Sequence, residues 1–143
     1  MAELEERSVL WVRGVPERDA PTTSLSEWLD GVRGAAALVG GRVELSVGLT
    51  VVLCFDALDL EHAVECARAV LELGKRQSPP LAVHVGLALG EVGRSEREGQ
   101  PVFVGAAVDR AQLLCQRARP NEIVFDEAAE QRGEELWLFA REI

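Results

Sequence analysis

The sequence has 143 residues, enough for one domain with a buried core, and 48% of them are hydrophobic, which excludes a disordered chain. Its formal net charge of −9 would repel a phosphate backbone, so nucleic acid is not predicted as a partner. No apolar run approaches the roughly 20 residues that cross a bilayer, so no membrane helix and no membrane partner are predicted.

The first half of the chain predicts a strand, a helix, a hairpin and a second helix. Residues 8–13 form a strand that ends at Gly14, with Val9, Trp11 and Arg13 on one face, and residues 24–38 have apolar side chains at helical spacing. Residues 42–55 predict a hairpin whose turn falls at Gly48–Leu49 and whose second strand is continuously apolar. The next helix is expected over residues 59–76, with acidic residues at its start and basic residues at its end.

The second half begins with an alternating strand over residues 81–89, followed by a charged hairpin tip over 94–100 that we expect to be solvated. A short strand over 102–104 leads through Gly105 into a helix over 106–118.

The last predicted elements are short. They are a strand over 122–125, a helical turn over 126–131 and a final edge strand over 135–139, past Gly133. Strands joined by hairpins and interleaved with helices predict an α+β, ferredoxin-like, antiparallel-rich sheet with helices packed on one face. No repeat, linker or low-complexity tract divides the chain, so residues 1–143 are taken as a single domain.

Several stretches together resemble the class III nucleotidyl cyclase catalytic domain, the family of adenylate and guanylate cyclases. They are, in chain order, SVLWVRGV, GGRVELSVGLTVVLCF, HVGLALGEV, FVGAAVDRAQLL and ARPNEIVFDEA. The similarity covers nearly the whole chain and implies the nucleotidyl cyclase fold. In that family, two aspartates hold two metal ions that assist attack of the ribose 3′-hydroxyl on the α-phosphate.

The resemblance places other residue types at the metal and base-reading positions. Arg13 stands where the first metal-binding aspartate is expected, and Leu49 where the second is expected. The base-reading lysine corresponds to Leu45, and its acidic partner corresponds to Val102. Aliphatic side chains cannot meet these electrostatic requirements, so neither a metal nor a cofactor is predicted.

The helix motif that orients the ribose is altered as well. Its asparagine corresponds to Asp109 and its arginine to Leu113. Asp109 is one candidate ion-pair partner for Arg13, within the subunit or across an interface, because a cation among apolar groups needs a partner.

The resemblance therefore predicts a catalytically inactive cyclase-like domain rather than an enzyme. We expect a cytoplasmic protein–protein interaction or regulatory module of bacterial type, which associates with itself as a homodimer or with another protein. The predicted interface is the former active-site face, comprising Trp11, Arg13, Leu45, Leu49, Val102, Asp109 and Leu113. Two alternatives stay open, namely a sensor that binds a nucleotide or an apolar molecule in the remodelled cleft, and an active cyclase.

The histidines and cysteines have simpler interpretations. His62 is predicted to lie on a solvated helical face, and His84 to be hydrogen-bonded within the sheet. The spacing of Cys54, Cys66 and Cys115 fits no zinc motif and predicts buried, reduced thiols.

Overall fold

The computed structural model describes residues 3–16 and 19–136. Single strands and two hairpins are interleaved with helices along the described chain, with one short 3₁₀ helix before the second α-helix. The strands are β1 (Glu3–Pro16), β2 (Arg42–Val47), β3 (Thr50–Asp56), β4 (Leu81–Arg97), β5 (Gln100–Val104) and β6 (Glu122–Phe125). The helices are α1 (Thr22–Leu38), α2 (Leu60–Lys75), α3 (Ala106–Arg117) and α4 (Glu127–Glu135), and the 3₁₀ helix is Ala57–Asp59.

The strands form one open sheet with the order β2-β3-β1-β4-β5. The sixth strand, β6, pairs with the first half of β4, and β5 pairs with its last residues. Every pairing is antiparallel except that of β6 with β4. The predicted α+β class and the antiparallel-rich sheet are therefore confirmed.

One face of the sheet packs against α1 and α2, and we call it the α1/α2 face. Leu10 and Val12 of β1 point to this side, as do alternate residues of β3 and β4. Trp28 of α1 is fully buried here, and its indole N–H donates to the Val70 carbonyl oxygen of α2 at 3.4 Å. Burying such large apolar side chains supplies most of the stabilisation that a sheet of this kind obtains.

The expectation that the helices all pack on one face is wrong for α3, which lies on the opposite side. Val9 of β1 and Ala88 of β4 form a second buried cluster with Ala107 and Ala111 of α3. This surface is called the α3 face below. Small residues make the close contact possible, since a Cβ atom added to Gly86 would lie 2.2 Å from the Ala111 carbonyl oxygen.

Two predicted boundaries also change. The charged segment 94–100 is mostly strand, because β4 continues to Arg97 and the turn occupies Glu98 and Gly99, both at positive φ. The helical turn predicted over 126–131 is the longer helix α4, which runs through a buried Gly133 to Glu135. Most of the final strand predicted over 135–139 lies outside the described residues.

Candidate functional site

Arg13 and Leu49 lie next to each other, at the end of β1 and in the β2–β3 turn. Arg13 is paired with Thr50 in the sheet, and the Gly14 N–H donates to the Leu49 carbonyl oxygen at 2.9 Å. The two backbone positions that the resemblance assigns to metal-binding aspartates are therefore adjacent in space. The side chains that occupy them are a guanidinium group and an isobutyl group.

Two rows of cross-strand neighbours cross the α3 face beside this point. The first row contains Leu45, Val52 and Trp11, which are paired through β2, β3 and β1. Val52 is buried and Trp11 packs partly against the α3 cluster, whereas Leu45 is 42% exposed.

The second row contains Val47, Thr50 and Arg13, in register with His84 of β4. Val47 is 63% exposed, and Arg13 is exposed as well. The apolar end of β2 and the cation of β1 thus share one accessible part of the α3 face, which we call the open end.

Leu49 and Val102 do not share this face, contrary to the prediction. Leu49 packs against the α1/α2 cluster, because it lies in a turn, where strand alternation no longer determines direction. Val102 alternates with Phe103, and it is Phe103 that packs against the α3 cluster. Val102 therefore points to the opposite side of β5.

Asp109 and Leu113 lie one turn apart on the outer side of α3. Both are exposed, and Asp109 is in the first turn, where the helix dipole favours an acid. Within the described part of the chain, neither Arg13 nor Asp109 forms an ion pair, so an intramolecular pair between them is not observed.

A partly buried ion pair on the α3 face was not predicted from the sequence. Glu44 occupies a β-bulge between Val43 and Leu45, and its side chain is only 8% exposed. Arg94 donates to both Glu44 carboxylate oxygens, with Nε at 3.0 Å from each and Nη2 at 2.6 Å from Oε1. The pair joins β2 to β4 across two intervening strands, so Arg94 is not the solvated tip residue that its charged neighbours suggested.

Asp126 is a second polar centre that the sequence did not reveal. Its carboxylate accepts from the Ala129 N–H at 2.8 Å, the Leu89 N–H at 3.3 Å and Arg110 Nε at 2.9 Å. One aspartate therefore caps α4 and fastens both β4 and α3 to it. The sequence could have indicated its capping role, because Asp126 directly precedes a helix. Nothing in the sequence indicated its contacts with Leu89 and Arg110.

The histidines match their predicted interpretations. His84 Nδ1 lies 2.8 Å from the Ala118 carbonyl oxygen, which accepts its hydrogen, and His62 is a partly exposed residue of α2, 3.7 Å from Asp59. Among the described residues, no group of three or more His, Cys, Asp or Glu side chains is arranged to hold a metal ion.

The three cysteines are buried and free of disulfides, as expected. Burial raises the pKa of Cys54 and Cys115 to about 11 and that of Cys66 to about 12. Thiolates are the reactive form, so these groups are poor nucleophiles near neutral pH. Within the described residues, no helix is long and apolar enough to cross a membrane.

No protein-family model matches the sequence, and no curated protein matches it either. Solved structures do match. The monomeric guanylyl cyclase domain of the RhoGC fusion protein from the aquatic fungus Blastocladiella emersonii aligns with a TM-score of 0.80 at 14% identity, covering 94% of this chain and 88% of that domain. A non-canonical dimeric form of the same fungal domain aligns with a TM-score of 0.80 at 15% identity, over 94% and 86% of the two chains.

The adenylyl cyclase CyaB from P. aeruginosa also aligns, with a TM-score of 0.74 at 17% identity, over 95% of this chain and 84% of CyaB. Agreement over nearly the full length of the chains establishes the fold, in spite of the low identity. The protein therefore has the fold of class III adenylate and guanylate cyclase catalytic domains.

Proposed function

We propose that this protein is a catalytically inactive cyclase-like domain that acts as a protein–protein interaction or regulatory module. In this proposal the domain associates with itself through the open end of the α3 face, around Trp11, Arg13 and Leu45. The neighbouring solved structures supply the fold, and the side chains at the expected catalytic positions are the reason for proposing a different role.

The observation that supports inactivity is the pair of residues at the adjacent ends of β1 and the β2–β3 turn. A divalent metal in a phosphoryl-transfer site is held by oxygen ligands, usually carboxylates. Arg13 would repel the cation, and Leu49 has no donor atom in its side chain. The residues present therefore do not fit a metal ion.

The exposure of Leu45 and Val47 supports an interaction role. Fully burying a leucine or valine side chain contributes about 1.5–3 kcal/mol, so apolar groups on an accessible sheet surface favour a contact that covers them. The fungal cyclase domain has both monomeric and non-canonical dimeric crystal structures, so this fold is compatible with either state.

Leu45→Asp tests the proposed interface, and we expect it to convert a wild-type dimer to a monomer. The new carboxylate would have to be desolvated in an apolar contact, which is strongly unfavourable. Size-exclusion chromatography with light scattering measures the change in mass. Leu45 is preferred to Leu49, because Leu49 packs against the domain's own core.

Leu38→Asp is the matched control, since Leu38 is an exposed leucine at the end of α1, away from the open end. It should leave the mass unchanged. A wild type that is a clean monomer at high concentration would rule out the homodimer and would leave a different protein as the partner.

Inactivity has its own test. We expect no cyclic nucleotide from ATP or GTP in the presence of Mn²⁺ above the level of a heat-treated sample, because the metal positions lack carboxylates. Product formation measured by mass spectrometry would show that the domain is an enzyme and would overturn this part of the proposal.

A sensor that binds a nucleotide or an apolar molecule at the open end is the alternative function. Its support is the partly exposed Trp11, which belongs to the apolar row with Leu45 and Val52. We place it second, because Trp11 lines none of the three cavities described in the structure. A rise in melting temperature with ATP, GTP, a cyclic nucleotide or a lipid would favour it.

A further inference from the structure

Three arginines meet at a small cavity at the end of the sheet, where β2 begins and β3 ends. The cavity has a volume of about 190 Å³. It is lined by Arg7, Gly40, Arg42, Cys54, Phe55, Asp56 and Arg94. Three arginines and one aspartate thus line the same cavity in a chain whose net charge is −9.

Arg94 is held in position by two neighbouring side chains. Glu44 does not line the cavity, yet it accepts both hydrogen bonds of the bidentate contact with Arg94 and is almost fully buried. The Arg94 guanidinium also lies over the Phe103 ring, 5.7 Å from its centroid. Because Arg94 is already held in one conformation, it loses little conformational entropy when a ligand binds, and this favours binding.

Among the described residues, neither Arg42 nor Arg7 has a bidentate carboxylate contact like that of Arg94. Arg42 is 69% exposed, and its nearest described carboxylate oxygen, from Glu44, is 3.4 Å away. Arg7 pairs with Glu5 and lies 3.6 Å from Asp56, and both of these acids are exposed. The acids that pair with Arg7 are exposed, so these ion pairs contribute little and a better anion in the cavity can replace them.

We propose that this cavity binds the phosphate group of a small phosphomonoester. Arg94 supplies the fixed side of the site, and Arg42 and Arg7 close on the other oxygens. A phosphate presents several strong acceptors to planar guanidinium forks, and such charge-assisted bonds are about twice as strong as neutral ones. The site lies at the opposite end of β2 and β3 from the turn that carries Leu49, and it does not depend on the proposed self-association.

Isothermal titration calorimetry with inorganic phosphate, at fixed low ionic strength, tests the proposal. We expect saturable binding to the wild type that chloride at equal ionic strength does not reproduce. Arg42→Gln and Arg7→Gln should each weaken phosphate binding roughly tenfold or more, since each removes a charge-assisted contact.

Arg33→Gln is the matched control. Arg33 is an exposed arginine of α1 that donates to Ser46 Oγ at 3.1 Å and does not line the cavity, so its loss should leave phosphate affinity unchanged. Circular dichroism confirms that each variant is folded. No saturable phosphate binding to the wild type, or equal affinity in all variants, would overturn the proposed site.

Discussion

Replacing Gly86 by alanine is expected to destabilise the domain by at least about 3 kcal/mol, which is a large effect for one added methyl group. The added Cβ would lie 2.2 Å from the Ala111 carbonyl oxygen and 2.5 Å from the Cys115 nitrogen. Both atoms belong to the backbone of α3, so no side-chain rotation relieves the overlap. The whole helix must move away from β4, and the buried cluster of the α3 face is disrupted with it.

Two other glycines provide a graded control for this effect. In Gly90→Ala the nearest atom is the flexible end of Arg110, at 2.6 Å, so an intermediate loss is expected. In Gly34→Ala no atom lies within 4 Å, and the gain in helix propensity should stabilise α1 by about 0.5–1 kcal/mol. Urea denaturation of the three variants measures the order. A Gly86→Ala protein as stable as wild type would show that α3 does not pack against β4 in this way.

The glycine pattern also explains which part of the fold was predictable. Alternation in β1 and β4 and helical spacing in α3 predicted the elements, because each depends on local periodicity. The face on which α3 packs was not predicted, because an apolar helical stripe does not specify which side of a sheet receives it. The small residues Gly86, Ala88 and Gly90 alternate along β4 and were the available signal for a closely packed helix.

The candidate site was predictable to a similar degree. The resemblance assigned Arg13 and Leu49 to the two metal-binding positions, and the pairing of β1 with β3 places their backbones side by side. It did not give the direction of the Leu49 side chain. The Glu44–Arg94 pair was equally hidden, because it needs both a bulge in β2 and a contact across strands that are far apart in sequence.

Asp126 shows how much one unpredicted side chain contributes, and Asp126→Ala is expected to cost about 3 kcal/mol of stability. The substitution removes an N-cap, whose loss typically costs about 1 kcal/mol, and it leaves the buried Leu89 N–H without its acceptor. Arg110 loses its carboxylate but keeps its 3.1 Å hydrogen bond to the Leu89 carbonyl oxygen, so part of the α3 contact survives. Urea denaturation gives the free energy of unfolding.

Asp126→Asn separates the contributions of charge and hydrogen bonding at this position. Asparagine still accepts from the cap and strand N–H groups, so it should lose less than half as much stability as alanine, with the remaining loss arising from the Arg110 contact. Asp56→Ala is the control, because Asp56 also accepts from a helix-start N–H but its side chain is exposed, and about 1 kcal/mol or less is expected. If Asp126→Ala lost no more than Asp56→Ala, then the carboxylate would not join α3, β4 and α4, and the stability of this end of the sheet would have to come from apolar packing alone.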